Sequence, residues 1–318
     1  MGRAQMGVFG MPFDKDETTE IATMAREGGL EPVIFEREPV AAQLTGCEVL
    51  MGYFPAGELA ALPRLRWVQL PCAGAERYCG ALPAGATLAN CSGAFGQDIA
   101  EHVLCVTLML LRMLPAYQRQ QFAHEWRRVD AARNVAGSTV CVIGMGDLGS
   151  WVARDFRMLG ARVRGVARTS HAPAEPFDES YTSHDLAAAV RDADVVVCAL
   201  PATPQTAGLV SSDVLAAMGE QGILVNVGRG ATVDEEALAE ALLAGRLAGA
   251  ALDVFDEEPL PASSPLWDLP NVIVTPHVAG RDTDPIAVRN IFGICTDNLR
   301  RYLAGQPLTH VVDQTLGY

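Results

Sequence analysis

Long apolar runs, positive charge and paired cysteines are all in short supply in this 318-residue chain. No stretch approaches the roughly 20 uninterrupted apolar residues that a membrane-spanning helix needs. The longest candidate, Val103 to Leu114, is broken by Thr107 and Arg112 and reads as a buried helix. Against 38 Asp and Glu stand only 24 Lys and Arg, a formal net charge of −14 that opposes nucleic acid or an anionic membrane as partner. The eight cysteines, at 47, 72, 79, 91, 105, 141, 198 and 295, form no Cys-x-x-Cys pair and have no histidine at ligand spacing, so no metal site is expected. Cys141 and Cys198 lie in apolar runs and read as small buried hydrophobes, whereas Cys72 sits in a glycine-containing loop. The amino terminus lacks a signal-peptide pattern, and Met6 stands where a myristoylation signal needs Ser or Thr, so a soluble cytoplasmic protein is expected.

What is present is an apolar content of 49% in a length that favours two α/β domains. From Gly137 onward, short β-branched runs at Thr139–Ile143, Ala161–Val166, Asp194–Ala199, Gly222–Val227, Gly249–Val254 and Val272–Val274 alternate with stretches of helical period. These runs are apolar almost throughout, which predicts a doubly wound parallel sheet buried on both faces. Met6–Phe9, Pro32–Phe35, Val49–Met51 and Trp67–Leu70 repeat the pattern on a smaller scale, with helices predicted at Thr18–Glu27 and Gly57–Leu62. Two long helices, Asp98–Phe122 and Thr283–Leu303, carry the chain between the domains, and Pro115 is expected to kink or end the first. Residues 1–100 with 285–318 are expected to form a substrate domain, and 101–284 a dinucleotide-binding domain.

Gly144-Met-Gly146-Asp147-Leu148-Gly149 sets Gly-x-Gly-x-x-Gly between a predicted strand and a predicted helix. The first glycine permits the tight turn, the second lets a pyrophosphate reach the backbone, and the third lets helix pack on strand. An acid about 20 residues further on would bind the ribose 2′-hydroxyl of NAD(H). None is there. Ala167 occupies the position, followed by Arg168, Thr169 and Ser170, whose charge and hydroxyls suit a 2′-phosphate. NADP(H) is therefore expected over NAD(H); if this segment is only a solvated turn, little preference would follow.

Arg229, Glu258 and His277 all fall just beyond predicted strands, at the sheet edge where open α/β folds bind ligands. A surface ion pair would explain Arg229 or Glu258 alone, and a capping or core role would explain His277 alone. Together they suit a 2-oxo or 2-hydroxy acid: an arginine fork for the carboxylate, a histidine to trade a proton, and a carboxylate to fix its tautomer.

Four segments now carry a resemblance: Gly144–Gly149, Leu224-Val-Asn-Val-Gly-Arg-Gly230 with Val233-Asp-Glu-Glu-Ala-Leu238, Ala251-Leu-Asp-Val-Phe255 with Glu257-Glu-Pro-Leu260, and Thr275-Pro-His-Val-Ala-Gly280. They resemble the D-isomer-specific 2-hydroxyacid dehydrogenases, most of all the short members that reduce glyoxylate or hydroxypyruvate. The resemblance implies a Rossmann domain beside a smaller flavodoxin-like substrate domain. It implies that His277 protonates the carbonyl oxygen as hydride arrives, that Glu258 hydrogen-bonds its other nitrogen and stabilises imidazolium, and that Arg229 binds the carboxylate. Leu70-Pro-Cys-Ala-Gly-Ala75 matches the substrate loop, which assigns Ala73 and Gly74 to the substrate, with Tyr53 facing either its side chain or the packing. Many relatives have Ser where this chain has Cys72, a thiol open to oxidation. Asp253 would orient the nicotinamide, while Ala199, Pro201, Thr206, Val227, Gly228 and Gly280 would line the dinucleotide. The segment Gly96–His102 matches a two-fold interface and implies a homodimer, with His102 structural. Formate dehydrogenases share these motifs on a longer chain. A dinucleotide-sensing corepressor on the same fold is the alternative, distinguished by partner-peptide binding.

Overall fold

The computed structural model describes residues 3–169 and 172–318. The chain divides into two compact units: one runs to Phe95 and resumes over Arg281–Tyr318, and the other is Gly96–Gly280.

In the first unit, β1 (Gln5–Phe9), β2 (Glu31–Ile34), β3 (Cys47–Gly52), β4 (Trp67–Gln69) and β5 (Thr87–Ala89) form one parallel sheet in the order β2-β1-β3-β4-β5, the flavodoxin-like order. Helices α1 (Lys15–Glu27), α2 (Ala41–Leu44) and α3 (Ala56–Leu59) follow successive strands. The start of α1 is set by a capping box: Asp14 accepts from the Asp16 and Glu17 N–H groups, and Glu17 reaches back to the Asp14 N–H. Leu44, Leu50, Leu59, Val68, Leu70 and Leu88 make the core. Through it runs a polar joint with no exposed atoms to spare. Gln69, fully buried, donates to the Leu70 and Asn90 carbonyls and accepts from Asn298 on the returning helix Pro285–Leu303, which in turn is bonded to Thr309.

In the second unit the order is α4 (Gly96–Leu111), α5 (Leu114–Phe122), β6 (Thr139–Ile143), α6 (Asp147–Met158), β7 (Arg162–Ala167), β8 (Glu179–Thr182), α7 (Leu186–Val190), β9 (Val195–Cys198), α8 (Ser212–Met218), β10 (Ile223–Asn226), α9 (Glu235–Leu243), β11 (Gly249–Leu252) and β12 (Val272–Val274). All seven strands are parallel, in the order β12-β11-β10-β9-β6-β7-β8. The order reverses between β6 and β9, so the topological switch point lies at their carboxyl ends. Every residue of β9, β10 and β11 is buried, which explains why these strands read as continuous apolar runs.

The doubly wound α/β organisation expected from the sequence is thus present in both units. Three short elements differ. The strands β5 and β8 were not anticipated, because both lie at sheet edges and Glu179-Ser-Tyr-Thr182 is half-buried and polar, nor was the one-turn helix α2. The helix expected over Asp98–Phe122 breaks near Pro115 as expected: it is two helices bent by 67°, parted at Met113 (φ +60°), with Pro115 in the first turn of α5. Val103, Val106, Leu110 and Leu111 on α4 are buried. Among the described residues no single helix is long and apolar enough to cross a membrane.

Phe156 anchors α6 on the sheet, fully buried against Val140, Val142, Val152 and Val163. Phe156→Ala is expected to cost about 3–5 kcal/mol of stability. Urea unfolding should show a lower midpoint at unchanged slope; an unshifted midpoint would contradict this packing.

Candidate functional site

The turn from β6 into α6 is built on close backbone approaches. Gly144 has φ +114°, and a side chain there would meet the Ala199 carbonyl at 2.5 Å, across the switch point. A side chain on Gly149 would run into the Gly144 carbonyl, which is how the helix seats on the strand. Gly146 differs, because a Cβ on it would meet nothing within 4 Å. It caps α6 without a side-chain hydrogen bond, leaving Asp147, Leu148 and Gly149 in the first turn. A bare backbone ahead of a helix amino terminus fits a pyrophosphate.

The remaining dinucleotide candidates sit around this turn. Ala167 ends β7, and Arg168 and Thr169 follow it, exposed; Ser170 lies outside the described residues. Ala199 and Pro201 follow β9. The Thr206 hydroxyl donates to the Pro201 carbonyl at 2.8 Å and accepts from the Thr203 N–H at 2.9 Å, so it closes its own turn. Val227 and Gly228 follow β10, and Gly228 has no room for a side chain beside the Leu200 backbone.

Arg229 is held by Asn226. That buried amide accepts from the Gly228 N–H at 3.2 Å and donates to the Arg229 carbonyl at 3.0 Å, while the arginine donates to the Gly228 carbonyl at 2.8 Å. A polar residue inside an otherwise apolar strand was the available sequence signal for Asn226. Next, Gly230 lies so close to the Phe255 backbone that any side chain would overlap it, bringing the Arg229 loop against the loop that carries Glu258.

Glu258 and His277 are in direct contact. One carboxylate oxygen accepts from the Phe255 N–H at 3.0 Å, and the other lies 2.8 Å from His277 Nδ1. With Nδ1–H committed to the carboxylate, Nε2 is the atom left to exchange a proton, and the side chain is about half exposed. His277 adopts φ +53°, an uncommon conformation for a residue with a side chain, and its N–H donates to the Asp253 carbonyl at 2.8 Å.

The Asp253 carboxylate fastens that loop. Buried to 3% exposure, it accepts from the Thr275 hydroxyl at 2.6 Å and from the Val278 and Ala279 N–H groups at 2.9 Å. Gly280 ends the segment. His102 Nε2, on α4, lies 3.5 Å from the Thr275 hydroxyl that donates to Asp253. Asp253 as the anchor of His277 escaped the sequence reading, which had assigned it to the nicotinamide.

In the first unit, Tyr53 follows β3 and Ala73 and Gly74 lie in the loop after β4. Burial, then the charge and the hydrogen bond of Cys72, push Tyr53 titration far above its ordinary range.

A model of the D-isomer specific 2-hydroxyacid dehydrogenase NAD-binding domain matches residues 104–279. The chain belongs to the D-isomer-specific 2-hydroxyacid dehydrogenase family. It is 34% identical over 245 residues to glyoxylate/hydroxypyruvate reductase A of Serratia proteamaculans, covering 76% of this chain and 75% of the relative. A D-isomer specific 2-hydroxyacid dehydrogenase from Xanthobacter autotrophicus, solved with NADPH and MES, superposes with a TM-score of 0.83 at 30% identity, over the full length of both chains. An NADPH-dependent glyoxylate/hydroxypyruvate reductase from Sinorhizobium meliloti, solved with NADP and sulfate, gives a TM-score of 0.83 at 29% identity, covering 99% of this chain and 100% of the other.

Asp253→Asn replaces a charged acceptor of three hydrogen bonds by an amide whose NH₂ must face a donor. Thermal unfolding should show a loss of about 1–3 kcal/mol, and turnover should fall because His277 loses its anchor. Wild-type melting and turnover together would remove Asp253 from this role.

Proposed function

We propose that this dehydrogenase reduces a small 2-oxo acid of the glyoxylate or hydroxypyruvate kind to the D-2-hydroxy acid, with NADPH preferred over NADH. The observation that carries the reading is the 2.8 Å contact between Glu258 and His277 Nδ1, which leaves Nε2 as the proton donor. NADPH held at the Gly144–Gly149 turn would supply the hydride. His277 gives its proton to the carbonyl oxygen, and Glu258 stabilises the imidazolium before transfer. Arg229 binds the substrate carboxylate, and its fixed charge draws electron density toward the carbonyl oxygen. Tyr53, Ala73 and Gly74 are the first unit's substrate contacts, which makes that unit the substrate domain. Gly144, Gly146, Asp147, Leu148, Gly149, Ala199, Pro201, Thr206, Val227, Gly228, Asp253 and Gly280 belong to the cofactor in the second. Arg168, Thr169 and Ser170 read the 2′-phosphate.

The working form is a homodimer in the cytoplasm. Its support is an exposed apolar surface at the end of α5 and just beyond it: Phe122 is 77% exposed and Trp126 fully so, and large aromatics of that kind favour burial against a partner. No nucleic acid or membrane is involved.

Absorbance loss from NADPH and NADH, run in parallel against a panel of 2-oxo acids, tests the reading. Turnover favouring NADPH supports it; tight dinucleotide binding with no turnover would bring the corepressor-like reading forward. His277→Ala should lower kcat by about 10²- to 10⁴-fold with little change in cofactor affinity, and normal turnover in that variant would end the assignment. Reduction consumes protonated His277 and oxidation needs it neutral, so the reductive rate should fall with rising pH while the oxidative rate rises. Parallel profiles under conditions where chemistry limits the rate would contradict the proton role. Arg168→Ala should weaken NADPH binding and spare NADH; equal losses in titrations of both would mean that the arginine does not read the phosphate.

A further inference from the structure

The carbonyls of three consecutive residues in the loop after β4 are tied back into the first unit. The Cys72 carbonyl accepts from the Cys91 N–H at 2.9 Å, the Ala73 carbonyl from Asn90 Nδ2 at 2.7 Å, and the Gly74 carbonyl from the Cys72 thiol at 3.1 Å. Among the described residues, the N–H groups of Ala73 and Gly74 meet no acceptor, and Ala73 is exposed. Neighbouring N–H groups left without acceptors make a concavity suited to an anion.

We propose that Cys72 and Asn90 are positioning residues of the substrate loop, holding its carbonyls inward so that the Ala73 and Gly74 N–H groups stay presented to a carboxylate. The proposal rests on the reading that this loop binds the substrate. Asn90 suits the role because it cannot rotate away. It is 5% exposed; its Oδ1 accepts from the Ser92 N–H at 3.2 Å, its N–H donates to the His310 carbonyl at 3.0 Å, and its carbonyl accepts from Gln69 at 3.1 Å. An amide turned the other way would set Oδ1 against the Ala73 carbonyl. Tyr53 also hydrogen-bonds Cys72; burial first, then the Cys72 charge and this hydrogen bond, raise its titration, as expected when the neutral phenol donates to sulfur. Hydroxyl, thiol and Gly74 carbonyl therefore form one chain ending at the cradle.

The carboxylate is gripped alike before and during hydride transfer, so loosening the cradle should raise KM rather than lower kcat. Cys72→Ala removes a donor and should raise the glyoxylate KM about fivefold, while Asn90→Ala, which strands the Ala73 carbonyl, should raise it about tenfold. Cys72→Ser keeps a donor and should restore KM to within about twofold of wild type. NADPH affinity should not move in any of them, and oxalate binding, followed by calorimetry, should weaken in step with KM. The Cys72 pair decides the matter even if Asn90→Ala does not fold. Unchanged KM and oxalate affinity in Cys72→Ala, or a loss that Cys72→Ser fails to restore, would overturn the proposal. So would wild-type protein that binds no oxalate. Wild-type protein that binds oxalate, with the variants weakened, but reduces no 2-oxo acid would uphold the positioning role and overturn the reductase reading.

Discussion

The second unit's chemistry depends on one buried carboxylate. Asp253 is almost wholly removed from water, and a buried charge is costly unless it is well hydrogen-bonded. Its three donors, the Thr275 hydroxyl and the Val278 and Ala279 N–H groups, come from both sides of His277. Satisfying the charge therefore fixes the loop. That loop fixes the φ of the histidine, and the φ directs the ring toward Glu258. Thus the His277–Glu258 pair, the proposed proton donor and its partner, is placed by a group that need not exchange a proton itself. A loop held only by packing would leave the imidazole free to swing, and positioning errors of about 1 Å are expensive in catalysis.

A parallel sheet supplies the rest of the arrangement. Because all seven strands of the second unit run the same way, the residues that follow β6, β9, β10, β11 and β12 emerge along one edge. Bringing their loops into register requires backbones to touch, and the glycines mark where they do. Gly228 passes the Leu200 backbone and Gly230 passes Phe255, with Arg229 between them. The Gly-Arg-Gly triplet is thus two close approaches framing one functional side chain. Its arginine gains a defined direction from the contacts of its neighbours.

Legibility in the sequence followed the range of the interactions involved. Strands β9 to β11 were visible because burial on both faces imposes apolar runs, the partly buried β12 because it is Val-Ile-Val, and the Gly144–Gly149 turn because its glycines keep a fixed spacing. Arg229, Glu258 and His277 stood out as candidates because their residue types carry chemistry and the predicted strands put them on one edge, and the structure brings Glu258 and His277 into contact. The edge strands β5 and β8 carry little apolar signal, so nothing local announced them. The supporting groups were equally hidden. Asn90 and the anchoring part of Asp253 act through partners set by folding, such as Ala73 for Asn90, 17 residues away, and Asn226 gave only its polarity in an apolar strand as a signal. An asparagine in a sequence does not say which carbonyl it will hold.

The charge balance explains why such holding matters here. A chain with a net charge of −14 repels an anionic acid and an anionic dinucleotide at long range. At physiological ionic strength that repulsion is screened over about 8 Å, so attraction has to be built from donors that meet the ligand directly. On the proposed reading, Arg229, Arg168, the amino end of α6 and the Ala73 and Gly74 N–H groups are donors of this kind. Each works only when aimed, since a hydrogen bond weakens steeply with angle. A basic surface could tolerate slack in its aim, because its field would gather substrate regardless. An acidic one cannot, and the Asp253, Asn226 and Asn90 anchors supply the rigidity that the overall field does not.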